Sequence, residues 1–161
     1  FLAVTTLLGF FVGPWAAVLI MTTVVGVQAL VFQDGGLAAL GANVFNMGIL
    51  TAFVGYAIFR GTVTVARGSR TAMLGGAFAA AWITVMISAF ATSAQLAISG
   101  TSPWGVVLPA MMGVHALIGL GEGVITAGAV GLVLSARPDL LRVPTAIAPA
   151  PSYSTYTGES A

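Results

Sequence analysis

The sequence predicts an all-α protein, a polytopic bundle of transmembrane helices, and three observations carry that prediction. The 161 residues are 58% hydrophobic and only 6% charged, with a mean hydropathy of +1.06. A soluble domain needs roughly a quarter charged residues to cover its water-facing surface. Long stretches such as Trp15–Phe32 and Thr71–Ile98 hold no ionised side chain, and each approaches or exceeds the ~20 apolar residues that cross a ~30 Å hydrocarbon layer. No segment alternates polar and apolar residues as the strands of a membrane barrel must.

Glycine, proline and charge divide the chain into five hydrophobic segments: Phe1–Val12, Trp15–Phe32, Ala42–Phe59, Thr71–Ile98 and Val106–Ala136. The first reaches only ~18 Å as a helix, too short to cross, and runs into Gly13-Pro14. The chain starts without Met, a charged leading region or a cleavage site, so it reads as a piece of a longer protein rather than as one opening on a signal peptide. Asp34-Gly35-Gly36, the Arg60 to Arg70 connection and Ser99–Pro103 separate the remaining segments. All connections are short, as in a helical bundle. The last segment extends ~46 Å as one helix, so tilt, protrusion or a break near Gly119–Gly123 is expected. Residues 1–142 therefore form the bundle. Residues 143–161, with Pro144, Pro149 and Pro151 among Ser, Thr and Tyr, are expected to be a disordered cytoplasmic tail.

Charge orients the bundle. Arg60, Arg67 and Arg70 lie in one connection and Arg137 and Arg142 follow the last segment; cytoplasmic loops carry the excess of Lys and Arg. Both regions are placed inside, which puts the Asp34 loop outside and the Gly13-Pro14 turn inside. Net charge is +1 with no basic patch, and there is no Cys, so nucleic-acid binding, disulfides and thiolate metal sites find no support. Gly119, Gly123, Ala127 and Gly131 recur every fourth residue, a small-residue stripe that lets two membrane helices approach closely.

Polar side chains within the spans are the functional candidates, because they are costly in lipid. His115 and Glu122 share a face of the last helix but stand ~10 Å apart along its axis. Thr126, four residues beyond Glu122, is a local partner for it. Gln28, Gln33, Asn43, Asn46, Gln95 and His115 all fall toward the outer ends of their segments on the inferred topology. Singly, such residues commonly serve as interhelical hydrogen-bond glue; together they suit a pocket open to the outside. Enzyme chemistry is not indicated. No metalloprotease, nucleophile-elbow or phosphate-loop motif is present, and the glycines of Ile118–Gly123 lack the preceding strand of a dinucleotide site. The six Met residues are scattered and read as apolar filling.

Two stretches carry a family likeness. Gln28-Ala29-Leu30-Val31-Phe32-Gln33-Asp34-Gly35-Gly36 through Asn43-Val44-Phe45-Asn46-Met47, and His115 through Thr126 (HALIGLGEGVIT), resemble motifs of the CbiM/NikM family. These are the substrate-binding membrane components of energy-coupling-factor importers for cobalt and nickel. Gly13-Pro14-Trp15 is similar to the turn before the first motif, and the likeness runs from Phe1 to about Arg142. The resemblance implies a seven-helix subunit of a bacterial plasma membrane, working with a coupling membrane subunit, ATPase subunits and a small accessory membrane protein. ATP would be hydrolysed on those partners, and the chain itself is not expected to be an enzyme. Co²⁺ or Ni²⁺ is the transported substrate, cobalt preferred, feeding cobalamin or nickel-enzyme assembly, with no cofactor in this chain.

Family metal ligands are the N-terminal amine and an early His of a tucked loop, with a second His before the glycine-proline turn. No position here matches them, which implies that they lie upstream of Phe1. Gln28, Asn43, Asn46, His115 and Glu122 remain as candidates to bind substrate or to brace the residues that do. Two other readings stay open: a metal-independent polytopic assembly or scaffold factor, and a vitamin-binding component of the same superfamily.

Overall fold

A chain this apolar satisfies its backbone polar groups within helices, and the computed structural model, which describes residues 2–65 and 69–140, is built accordingly. Five helices follow in order: α1 (Leu2–Val12), α2 (Pro14–Phe32), α3 (Gly36–Val65), α4 (Arg70–Ile98) and α5 (Trp104–Ala136). The last four are long and apolar enough to cross a membrane. A single 3-10 turn, Pro138–Leu140, ends the described chain. No strand occurs among the described residues. The expected tail, 143–161, lies outside them.

Local chemistry sets the breaks. Gly13 takes φ +90° and Pro14 occupies the first helical position of α2, where its missing N–H costs nothing. α2 ends on Gln33 in the left-handed region, its N–H bonded to the Gln28 carbonyl, and Gly35 and Gly36 continue with positive φ. Gly35 is needed twice over: a Cβ there would stand 2.7 Å from Asn43 Nδ2. Ser69 caps α4 by accepting from the Ala72 N–H at 3.2 Å.

The helices pack antiparallel in sequence order, which gathers Gly13, Arg60, Arg70 and Arg137 at one end and Gln33–Gly36 with Ser99–Pro103 at the other. Arg70 Nη2 donates to Ser135 Oγ at 2.9 Å, tying the start of α4 to the end of α5, and Phe90 meets Trp104 edge-on at 5.9 Å near their opposite ends. Beyond the spans, Arg137 forms a bidentate pair with Asp139, and those hydrogen bonds hold the Asp139 carboxyl below its ordinary range. The apolar core sits toward the arginine end, where Phe10, Phe59, Val63, Met73, Ala77, Ala80 and Val130 join four helices; Phe10 and Phe59 stack at 3.9 Å. Leu19, Phe32, Leu117 and Leu132 are largely exposed, as side chains facing lipid would be.

Of the alternatives expected for so long a helix as α5 the break is not taken, and the expected partnership of Thr126 with Glu122 is corrected. The helix runs unbroken through Gly119–Gly123, because its glycines are used for close packing rather than bending. A Cβ on Gly119 would lie 2.9 Å from Trp82 Cδ1, one on Gly123 2.8 Å from the Phe78 ring, and one on Gly131 3.3 Å from Leu74. The α4 side chains thus lie in a groove of α5, and Trp82 Nε1 donates to the Ala116 carbonyl at 3.2 Å. Thr126 does not partner Glu122: its hydroxyl is fully buried with no hydrogen-bond partner among the described residues.

The helices also contain two π-helical stretches, Gln28–Phe32 in α2 and Val44–Leu50 in α3. Both lie toward the end opposite the arginines, and both coincide with the motif stretch. Wide turns of this kind recur at functional sites.

Candidate functional site

The π-helical stretch of α3 presents its backbone and one amide to the neighbouring helices. Thr5 of α1 and Thr51 both donate to the Met47 carbonyl, at 3.0 and 2.6 Å. Ser88 of α4 donates to the Asn46 carbonyl at 3.3 Å. Three hydroxyls therefore bolt the wide turn in place. A Val at either threonine, or an Ala at Ser88, would lose the bond with little change of shape.

Asn46, 3% exposed, is the hub of the polar network. Its Nδ2 donates to Gln95 Oε1 at 2.8 Å and to Thr92 Oγ1 at 3.1 Å. Gln95 Nε2 returns a bond to Asn46 Oδ1 at 3.0 Å. The two carboxamides form a reciprocal pair between α3 and α4. Thr92 in turn donates to the Ser88 carbonyl at 2.9 Å.

The pair closes one wall of a cleft of about 360 Å³ between α3 and α4, lined also by Asn43, Ala39, Leu96 and Ser99. Asn43 makes no side-chain hydrogen bond to the described residues, so its amide is available to whatever occupies the cleft. Asn46 has both N–H groups engaged and acts as a strut. Gln95 keeps one N–H and one acceptor position.

The other candidates sit elsewhere. Gln28 lines a separate cavity of about 540 Å³ with Thr23, Phe32 and Asp34 at the end of α2 away from the arginines. His115 is half-buried on α5 and bonds through Nδ1 to the Met111 carbonyl of its own helix at 2.8 Å. A carbonyl only accepts, so Nδ1 carries the hydrogen in that bond. Glu122 is half-buried on the same helix. Neither His115 nor Glu122 is among the residues lining the cleft; α5 packs mainly along α4 and α1. The structure brings together Asn43, Asn46 and Gln95, and leaves Gln28, His115 and Glu122 apart.

Ser88 and Thr92 do not stand out in the sequence among many membrane Ser and Thr residues. The signal that marks them is spacing: Ser88, Thr92 and Gln95 lie four and three residues apart, one polar stripe along the helix. Among the described residues no group of three or more His, Cys, Asp or Glu side chains converges on a metal-sized site.

The comparison with known proteins now decides the family. Residues 2–140 match the sequence profile described as CbiM, cobalt uptake substrate-specific transmembrane region. The chain belongs to the CbiM family. A cobalt transport protein CbiM of Sorangium cellulosum is 37% identical over 143 residues, which cover 85% of this chain and 62% of that one. An Archaeoglobus fulgidus protein named for fused nickel transport, NikMN, is 44% identical over 137 residues, 84% of this chain and 44% of its own length. Among solved structures, a crystal structure titled as a transition metal transporter superposes with a TM-score of 0.67 at 33% identity, covering 81% of this chain and 62% of that chain. This CbiM-family chain thus spans between 44% and 62% of the length of these relatives. It is a multi-pass membrane chain related to cobalt and nickel transport proteins, which are not enzymes by name.

Proposed function

We propose that this chain is part of the substrate-binding membrane component of an energy-coupling-factor importer for transition-metal ions, with Co²⁺ preferred over Ni²⁺. The observation that carries the reading is the amide-lined cleft between α3 and α4, formed by the motif stretch of a CbiM-family sequence at the end away from the arginines. In this proposal the arginine end is cytoplasmic, by the excess of cations there, and the cleft opens outward in a bacterial plasma membrane. Nitrogen donors suit both cobalt and nickel. Amides are weaker ligands and serve better as outer partners that hold the ligating groups in orientation. Asn43 and Gln95 are placed for that role, with Asn46 setting the wall. Gln28, His115 and Glu122 join the proposal as residues that brace the bundle around it. ATP hydrolysis and coupling are assigned to partner subunits.

Uptake of Co²⁺ and Ni²⁺ in cells carrying the full-length gene, with and without its ATPase partner, tests the proposal. Accumulation of Co²⁺ that requires the partner is expected. Equal metal content in cells with and without the gene would refute it, and would favour a metal-independent scaffold whose amides only join helices.

A further inference from the structure

The arginines at one end of the bundle are not used alike. Arg137 is paired with Asp139, and Arg70 donates to Ser135 Oγ and the Gly131 carbonyl of α5. Arg60 is exposed, and its polar contact among the described residues is with its own helix: Nη1 donates to the Tyr56 hydroxyl, one turn earlier on α3, at 3.3 Å. The guanidinium also stands 5.9 Å from the centre of the Tyr56 ring, so the side chain is held along the helix. The rest of its N–H fork remains open. The phenol oxygen accepts from Arg60, which leaves the phenol hydrogen to donate. Among the described residues no acidic side chain pairs with Arg60.

Depth decides what these donors meet. α2 has 19 residues, about 28 Å at 1.5 Å per residue, and just spans a ~30 Å apolar layer. α3 has 30 and outruns it. Phe10, just before the Gly13-Pro14 turn, stacks on Phe59 at 3.9 Å, and Trp15, just after it, meets Phe53 edge-on at 4.9 Å. Arg60 is therefore about level with that turn, at the edge of the apolar layer, where Trp and Tyr also concentrate. Phe53, Tyr56 and Arg60 share a face of α3. Beside them Ala57, Gly61 and Thr64 are small and exposed, and a Cβ on Gly61 would meet nothing within 4 Å.

We propose that Tyr56 and Arg60 bind the phosphate of an anionic phospholipid in the leaflet at this end. The guanidinium fork and the phenol O–H both donate to phosphate oxygens. The acyl chains run along Trp15 and Phe53, toward the membrane interior. The headgroup carries net negative charge, because a zwitterionic one neutralises its own phosphate and leaves Arg60 uncompensated. The site lies at the other end of α3 from the amide-lined cleft and does not depend on the importer reading.

The test counts lipids retained by the full-length protein. Purified in mild detergent, it is mixed with equal amounts of phosphatidylglycerol and phosphatidylcholine, and the bound lipid is measured by native mass spectrometry. The parent is expected to retain phosphatidylglycerol in preference. Arg60→Gln should lower that retention about fivefold, the share of one cation in attraction to an anionic surface. Arg70→Gln removes the same charge at the same end and should leave retention unchanged. Inorganic phosphate equimolar with the lipid should not displace it, since it lacks the chains that lie along Trp15 and Phe53. If Arg60→Gln does not fold, Tyr56→Phe keeps the ring, removes the second donor and should lower retention severalfold; unaltered retention in it then overturns the proposal. So would unaltered retention in Arg60→Gln, an equal loss in Arg70→Gln, which would mark surface charge alone, or displacement by inorganic phosphate, which would mark a free anion as the ligand. A parent with no preference for phosphatidylglycerol would overturn it too, and would leave Arg60 to an acidic partner protein.

Discussion

Replacing Asn46 by Leu tests the strut between α3 and α4. The substitution keeps most of the volume and removes three side-chain hydrogen bonds, two to Gln95 and one to Thr92. Interhelical hydrogen bonds in membranes contribute about 0.6 kcal/mol each on average and up to ~1.7. Three of them sum to about 2–5 kcal/mol, and Asn46 itself is almost fully buried. Gln95 is only half-buried and borders the cleft, so it can rehydrate, which favours about 2–3 kcal/mol. Insertion should survive, since the apolar core of Phe10, Phe59, Val63 and Val130 stands apart at the other end. The assay is a double-mutant cycle of Asn46→Leu with Gln95→Leu, read by equilibrium unfolding in mixed detergent and by metal uptake. A coupling of about 1–2 kcal/mol is expected from the reciprocal pair, with uptake lowered in each single variant. Additive losses, or wild-type uptake in Asn46→Leu, would refute the assignment of the pair as both strut and cleft wall.

Three further outcomes follow from the packing and the orientation. Gly123→Ala sets a methyl 2.8 Å from the Phe78 ring and should destabilise by about 1–3 kcal/mol, whereas Gly121→Ala meets nothing within 4 Å and should be neutral or stabilising by up to ~1 kcal/mol; unfolding midpoints compare them. Thr126→Val removes a buried hydroxyl that has no partner among the described residues and should raise stability by about 1 kcal/mol, while a loss of that size would reveal an interaction of Thr126. In this cysteine-free chain, an impermeant thiol reagent added to intact cells should modify Asp34→Cys and spare Ser69→Cys; the reverse pattern would invert the topology.

Much of the architecture was legible because the lipid constraint is coarse. Runs of apolar residues punctuated by Gly13-Pro14, Asp34-Gly35-Gly36 and Ser99–Pro103 locate the spans within a few residues, apart from α3, which begins at Gly36 and ends at Val65, six residues beyond the expected span at each end. Its early start reflects Gly36 and Ala38–Ala42, which are helical although less apolar than a core segment. The small-residue stripe of α5 was readable as a close-packing surface, but not that Trp82, Phe78 and Leu74 would fill it. That pairing depends on the register between two helices, which no single-helix pattern specifies. The site was partly legible. Asn43, Asn46 and Gln95 share a depth and meet. His115 shares that depth too and does not reach them, because depth fixes position along the bundle axis and leaves the angle around it open. The π-helical turns of α2 and α3 left no signature in composition; that of α3 is held by side chains elsewhere, Thr5 and Ser88, which donate to its displaced carbonyls.

The most direct measurement uses Asn43→Cys in the full-length protein, with any cysteine outside the present chain replaced by Ser. Its rate of modification by an impermeant thiol reagent is measured on intact cells, with and without saturating Co²⁺. Modification from outside, slowed several-fold when Co²⁺ is present, is the predicted result. Modification only from the cytoplasmic side, or at a rate that Co²⁺ leaves unchanged, would contradict an outward cleft that takes part in holding the metal.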